Sequence, residues 1–269
     1  MAYQTLKLTQ QAGVLSVFLN RPDVRNAFND QVIEELSHVF EREALEETVR
    51  IVVLRGEGKV FSAGGDLNWM RRSVDFSFEE NLKDTRKLAE LFYTMNHFEK
   101  PLVGVVHGAA IGGGVGLVSV CDIVLASREA QFSLSEVRLG IIPACIGPFV
   151  VEKIGASQAR RLFVSGERIG AEEALRLGLV HQVVDTQADL DGALDACLDR
   201  MRACGPKAMA SAKRLVLDLT WPEKRAEQED VLEYVARMLA EIRISDEGQE
   251  GVRAFLEKRA PQWLEGTDS

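Results

Sequence analysis

One carboxylate follows a run of glycines, and the two together are the part of this chain best suited to chemistry. From His107 to Ala144 the chain reads HGAAIGGGVGLVSVCDIVLASREAQFSLSEVRLGIIPA, with Glu136 in a stretch otherwise poor in acids. Pro101 to Val106 is a β-branched run bounded by a proline, which predicts a buried strand, and Val115 to Val120 predicts the first turns of a helix. Backbone N–H groups at such a strand-to-helix junction lack internal partners and attract negative charge. A phosphate-binding loop would need Lys-Ser/Thr after the glycines, where this chain has Val115 and Gly116. The dinucleotide fingerprint, counted from Gly112, would need a glycine where Leu117 stands. What remains is an oxyanion hole whose second donor comes from elsewhere. Glu136 would then move a proton, provided burial brings its pKa toward neutrality. The alternative for Glu136 is a surface pair with Arg138.

The elements that must hold this stretch recur as strand, tight turn and helix. Val14 to Leu19 is the first strand, ending at the turn Asn20-Arg-Pro-Asp. Asn29 is a cap for a helix with Val32, Ile33, Leu36, Val39 and Phe40 on one face. Arg50 to Leu54 is a second strand running into another glycine turn, Phe61-Ser-Ala-Gly-Gly-Asp-Leu. The chain turns helical at about Asp66, and Ser77 to Phe98 is a long amphipathic helix. Asp122 to Ala126, Gln131 to Leu134 and Leu179 to Val184 are short strands. Pro148 to Ile154, Ser157 to Val164 and Ala171 to Leu177 are separate compact helices, the last stopped by Gly178. From Ala188 the strand pattern ends, and Val231, Val235, Met238 and Ile242 form an apolar stripe at helical spacing. The chain therefore divides into an α/β core, 1–187, and a helical subdomain, 188–269. The stripe serves either a subunit contact or the subdomain's own core.

Composition narrows the function classes. The chain has 269 residues, 46% hydrophobic and 27% charged, enough for a sizeable core. A net charge of -9 argues against nucleic acid as a partner. No apolar run reaches membrane-spanning length and the N-terminus has no signal-peptide pattern, so a cytoplasmic protein is expected. Cys121, Cys145, Cys197 and Cys204 form no CxxC pair, and His38, His97, His107 and His181 have no ligand spacing. No metal site or disulfide framework is expected, and the histidines are read as structural. Nothing near Cys145 in sequence lowers a thiol pKa, so it is read as lining a pocket rather than as a nucleophile.

Taken together, Ala63-Gly-Gly-Asp66, Gly112 to Gly114, Cys121-Asp-Ile, Ala130-Gln-Phe, Glu136 and Leu139-Gly-Ile-Ile-Pro resemble the crotonase superfamily of enoyl-CoA hydratases and isomerases. The likeness runs from about Val14 to Gln262, with NRPDVRNAF and AFLEKR in order at its two ends. It implies a spiral of repeated ββα units with a C-terminal helical region that builds trimers or dimers of trimers. It also supplies the second donor: the N–H groups of Gly65 and Gly113 would hold the thioester oxygen of an acyl-CoA. Coenzyme A then arrives as part of the substrate, and no separate cofactor is called for.

Members of this superfamily that add water commonly carry two glutamates, one just after the glycines and one twenty residues later. Here the first place is Gly116 and the second is Glu136. A closer resemblance, to bacterial methylglutaconyl-CoA hydratases, rests on Gly65-Asp-Leu-Asn-Trp-Met, Gly114-Val-Gly-Leu and Leu134-Ser-Glu-Val-Arg-Leu-Gly. There a glycine is tolerated at the first place, and it would free room beside a branched β-carbon. The resemblance places Val24 and Arg25 against the nucleotide, Ala63, Gly65, Asp66 and Leu67 along the adenine and pantetheine, and Lys258 at the phosphates. It sets Arg243 where some relatives place an aromatic against a neighbouring subunit's adenine, a place where an arginine either stacks or faces solvent, and Trp69, Ala144 and Cys145 around the acyl group, with an ordered water near Gly116 and Ala144. Arg71 and Arg72 are candidates for a second, distal carboxylate on the substrate. The expected reaction is reversible hydration of a branched enoyl-CoA, preferably 3-methylglutaconyl-CoA to 3-hydroxy-3-methylglutaryl-CoA. The alternatives are a double-bond isomerase using Glu136 alone and a non-catalytic CoA-binding scaffold.

Overall fold

The computed structural model describes residues 3–73, 76–221 and 231–264. Its larger sheet has the order β1-β2-β3-β4-β6-β9. β1 (Leu6–Gln11) and β2 (Val14–Leu19) form an antiparallel hairpin turned at Ala12-Gly13, both with positive φ. β3 (Ile51–Gly56), β4 (Leu102–Val106), β6 (Ile123–Ser127) and β9 (Gln182–Val184) follow in parallel. All of β4 is buried, as expected for a parallel strand covered on both faces. β1 escapes the sequence pattern because it is an edge strand with mostly exposed side chains.

A second, three-stranded sheet has the order β5-β7-β8, from β5 (Ala109–Ile111), β7 (Gln131–Ser133) and β8 (Arg168–Gly170). β5 and β7 are parallel, and β8 closes antiparallel on β7. The chain lays one strand in the large sheet and the next in the small one: β4 then β5, β6 then β7. The bridge Ser62↔Ala110 brings the segment after β3 to β5 in the same way. This is the repeated ββα unit expected from the sequence.

The helices of this first unit are α1 (Asp30–Glu41), α2 (Leu67–Ser73), α3 (Phe78–Asn96), α4 (Gly113–Ser119), α5 (Gly147–Ser165) and α6 (Ala171–Leu177). The Asn29 side chain accepts from the Val32 N–H, and Ser77 with Glu80 forms a full capping box on α3. The two helices expected between 148 and 164 run together as α5. Gly155, at φ 75 and ψ 154, forms the joint between its two segments.

The chain separates into two compact units, Met1–Phe98 with Leu102–Leu194, and Glu99–Pro101 with Asp195–Ser269. The first extends beyond the expected limit at 187 because α7 (Leu190–Arg202) begins in it. Leu190 and Leu194 are buried, and Arg55 pairs with Asp191 at 2.6 Å. The second unit continues with α8 (Pro206–Thr220), α9 (Val231–Ile244) and α10 (Asp246–Glu257), and its described residues form no strand. Glu247 on α10 accepts from the N–H groups of Lys207 and Ala208, tying α10 to the start of α8. Of the apolar stripe, Met238 and Ile242 are half-buried, and the side chains of Val231 and Val235 lie outside the described residues. No helix among the described residues is long and apolar enough to cross a membrane.

Candidate active site

The first glycine turn is clamped from both sides by backbone hydrogen bonds. On one side, the Ala63 N–H donates to Arg25 O at 2.9 Å, Phe28 N–H to Gly64 O at 2.7 Å and Asp66 N–H to Phe28 O at 2.8 Å. On the other, Phe61 and Ser62 donate to His107 O and Ala109 O, and Ile111 donates back to Ser62 O, each at 3.0 Å. Gly64 has φ +89, and a Cβ there would lie 2.9 Å from Ile111 O, so only glycine fits. Gly65 is exposed, and its N–H has no acceptor among the described residues.

Asp66, next in the chain, is committed elsewhere. Its carboxylate accepts from Arg21 at 2.9 Å and from the N–H groups of Asn68 and Trp69, capping α2. Burial works to raise its pKa, but the Arg21 hydrogen bond and the two N–H groups outweigh it and hold the carboxyl below the ordinary aspartate range. Asp66 therefore braces the turn through its side chain.

The second turn carries the remaining parts. Gly112, at φ 51, donates to Ser133 O at 2.8 Å, which fixes the start of α4 to the end of β7. Gly113 opens α4, where its N–H has no partner among the described residues, and the Phe28 ring lies against it. Three residues past β7, Glu136 comes back over Gly112. Its Oε1 lies 3.0 Å from where a Gly112 Cβ would stand, and its Oε2 is buried with no hydrogen-bond partner among the described residues. Burial pushes the carboxyl above the ordinary glutamate range, against a smaller pull downward from its own backbone N–H. The surface alternative does not form, since Arg138 turns its Nε toward Gly166.

Gly116 does not leave the room expected of it. A Cβ there would lie 2.3 Å from Ile146 Cγ2 and 2.9 Å from both Cε1 and Cζ of Phe92. Apolar side chains occupy the space directly over Gly116, where the side chain of a second glutamate would begin.

Of the other expected residues, Arg25 is joined to the first turn through its backbone. Arg25 holds a left-handed conformation, φ 55, with its carbonyl docked on Ala63, and Val24 beside it is exposed, as is Leu67. Ala144 is exposed. Cys145 next to it places Sγ 3.5 Å from Thr85 O on α3, and burial followed by the nearby Asp84 pushes its thiol pKa up, which keeps it a poor nucleophile. Asp84 is itself raised, by burial and by Asp30, and partly lowered by Trp69. Arg72 pairs with Asp30 at 2.7 Å, while Arg71, among the described residues, reaches only Asn68 on its own helix. Arg243 and Lys258 belong to the second unit, where both are exposed; Lys258 caps α10 at φ 54. His107 and His181 bond to backbone at Gly58 O and the Val124 N–H.

Sequence reasoning missed Phe28, whose backbone forms an isolated bridge with Gly65 while its ring supports Gly113. The only signal was its place in NRPDVRNAF, a stretch read for its nucleotide contacts. Phe92, Ile146 and Asp84 carried no signal that separates them from ordinary core or surface positions.

The same fold occurs in known proteins. Residues 9–266 match the family model described as enoyl-CoA hydratase/isomerase. The structure superposes on an enoyl-CoA hydratase from Shewanella pealeana with a TM-score of 0.91 at 41% identity, covering 97% of this chain and 96% of that one. The chain is 32% identical to the 2,3-dehydroadipyl-CoA hydratase of Escherichia coli K12, over 96% of its length and 98% of the relative's. It is 28% identical to the trans-2-decenoyl-[acyl-carrier-protein] isomerase of Streptococcus mutans, over 98% and 99%. With the repeated ββα architecture and both glycine turns in place, the chain has the crotonase fold and belongs to the enoyl-CoA hydratase/isomerase family.

Proposed function

We propose that the protein reversibly adds water to an enoyl-CoA, preferably 3-methylglutaconyl-CoA, to give 3-hydroxy-3-methylglutaryl-CoA. The observation that carries this is Glu136, a carboxyl with a buried, unpartnered oxygen beside the turn that presents Gly113. A carboxyl raised toward neutrality can serve as base and then as acid. Gly65 and Gly113 donate to the thioester oxygen, where charge develops, and each such donor is worth roughly 3–4 kcal/mol of barrier. The water oxygen bonds to the β-carbon as Glu136 takes its proton, and the double-bond electrons pass to the thioester oxygen. Glu136 then returns that proton to the α-carbon and is regenerated.

Val24, Arg25, Ala63 and Leu67 line the coenzyme side, and Arg71 is the cation for a distal carboxylate, since Arg72 is paired with Asp30. The Escherichia coli relative, named for a dehydroadipyl thioester, supports an acyl group ending in a carboxylate. Exposed Leu239, Ile244, Phe255 and Leu256 on the second unit support a trimer or dimer of trimers, in which Arg243 and Lys258 would meet the coenzyme.

The packing over Gly116 favours a second reading, double-bond isomerisation, because moving a proton between two carbons needs only one carboxylate. Mass spectrometry of thioesters after incubation with 3-methylglutaconyl-CoA and, separately, with a linear 3-enoyl-CoA tests both. Gain of one water on the branched substrate is expected. A shifted double bond on the linear one with no mass change on either would replace hydration by isomerisation.

A further inference from the structure

Gly112 and Gly116 stand one turn apart at the start of α4, and each is covered by a different kind of group. Over Gly112 lies Glu136 Oε1. Over Gly116 lie Ile146 and Phe92, both closer to a hypothetical Cβ than any real Cβ contact allows. Neither can easily withdraw. Ile146 is 3% exposed and N-caps α5, where its carbonyl accepts from Val150 N–H at 3.1 Å. Its obstructing Cγ2 moves only with χ1, which is stiff in a β-branched residue. Phe92 is 0% exposed and sits between Phe28 and Phe149, with ring centroids 6.2 and 6.4 Å away. Moving it would disturb the Phe28 ring that supports Gly113.

We propose that Ile146, braced by Phe92, is a specificity-determining plug: it fills the volume of a second acid/base side chain on α4 and so restricts this site to chemistry with one carboxylate. The glycine at 116 is then required by Ile146 and Phe92, and it does not make space for a substrate. With the plug in place, no protein group on this face of α4 activates water, and Glu136 carries each proton alone. Whether water adds or a double bond moves then depends on the substrate rather than on a second protein base. The inference rests on Glu136 as the proton carrier in the proposed function, but its physical half does not.

A double-mutant cycle on thermal stability tests that half. Gly116→Ala is expected to lower Tm by at least about 4 °C, through overpacking. In an Ile146→Ala background the same change is expected to cost less than half as much. Equal losses in both backgrounds would overturn the plug. The chemical half is read from the ratio of water addition to double-bond shift on one thioester. Gly116→Glu combined with Ile146→Ala is expected to raise that ratio at least about tenfold over Ile146→Ala alone; an unchanged ratio in the folded double variant would overturn the specificity role. Should the wild-type protein process neither substrate, the proposed function fails, while the stability cycle still decides whether the plug exists.

Discussion

Two carboxylates follow two glycine turns, and the fold treats them in opposite ways. Asp66 is buried but given Arg21 and two backbone N–H groups, which hold it ionised. Glu136 is half-buried, with one buried oxygen left without a hydrogen-bond partner among the described residues, and burial favours its neutral form. The first arrangement stabilises the fold and leaves nothing to react. The second costs stability and leaves a carboxyl able to exchange a proton. Similar loops therefore have different uses, and what separates them is whether the buried charge has been compensated.

Removing the uncompensated carboxylate should have the largest effect. Glu136→Gln is expected to lower kcat by roughly 10²- to 10⁴-fold while leaving KM for the thioester nearly unchanged, measured by steady-state kinetics on whichever thioester the wild type converts. Unchanged turnover with CoA binding intact would mean that the protein is a scaffold and that the contrast between the two acids has no chemical meaning. Removing the compensated one should act on the fold instead. Asp66→Asn is expected to cost about 1.5–3 kcal/mol of stability in denaturant titration, the usual worth of hydrogen bonds to a charged group, with a smaller loss of kcat/KM as Gly65 loses its brace.

The smallest effect, and the sharpest on the comparison, is in pH. The folded pKa of Glu136 is raised, so its carboxyl costs stability only once pH exceeds the ordinary glutamate value of about 4.3. Glu136→Gln should thus raise Tm at neutral pH, and the gain should fade on acidification. The folded pKa of Asp66 is depressed, so its stabilisation is present above about pH 3.9 and disappears as pH falls through the lower folded value. The deficit of Asp66→Asn should shrink over that acid range. Tm against pH for both variants and the wild type should give differences of opposite sign; the same sign for both would abolish the distinction.

Much of this was legible in the sequence. The two glycine turns could be found because positive φ and close backbone approach are local demands that few residues meet, and Glu136 stood out as an acid in a stretch otherwise poor in carboxylates. The resemblance to a family then supplied Gly65 as the partner of Gly113. The plug over Gly116 was not legible: Phe92 sits on the buried face of α3 and Ile146 just before α5, and by composition both are core residues. The bracing role of Asp66 was not legible either, because its partner Arg21 lies in a distant turn and only the fold brings them together. β8 is too short to show a period, and β1 too exposed to show an apolar one.

The small sheet has a consequence for how this protein tolerates change. Glu136 is reached from the end of β7, and Gly113 from the end of β5. Those strands are locked in register by Ala109↔Gln131, Ala110↔Phe132 and Ile111↔Ser133, and by the hydrogen bond from Gly112 to Ser133 O. The spacing between the acid and the N–H donor is thus set by peptide groups, which every residue possesses. Side chains across the rest of the molecule can drift without retuning that distance, so sequences about one-third identical, such as the Escherichia coli relative, can keep the same frame while their pockets diversify.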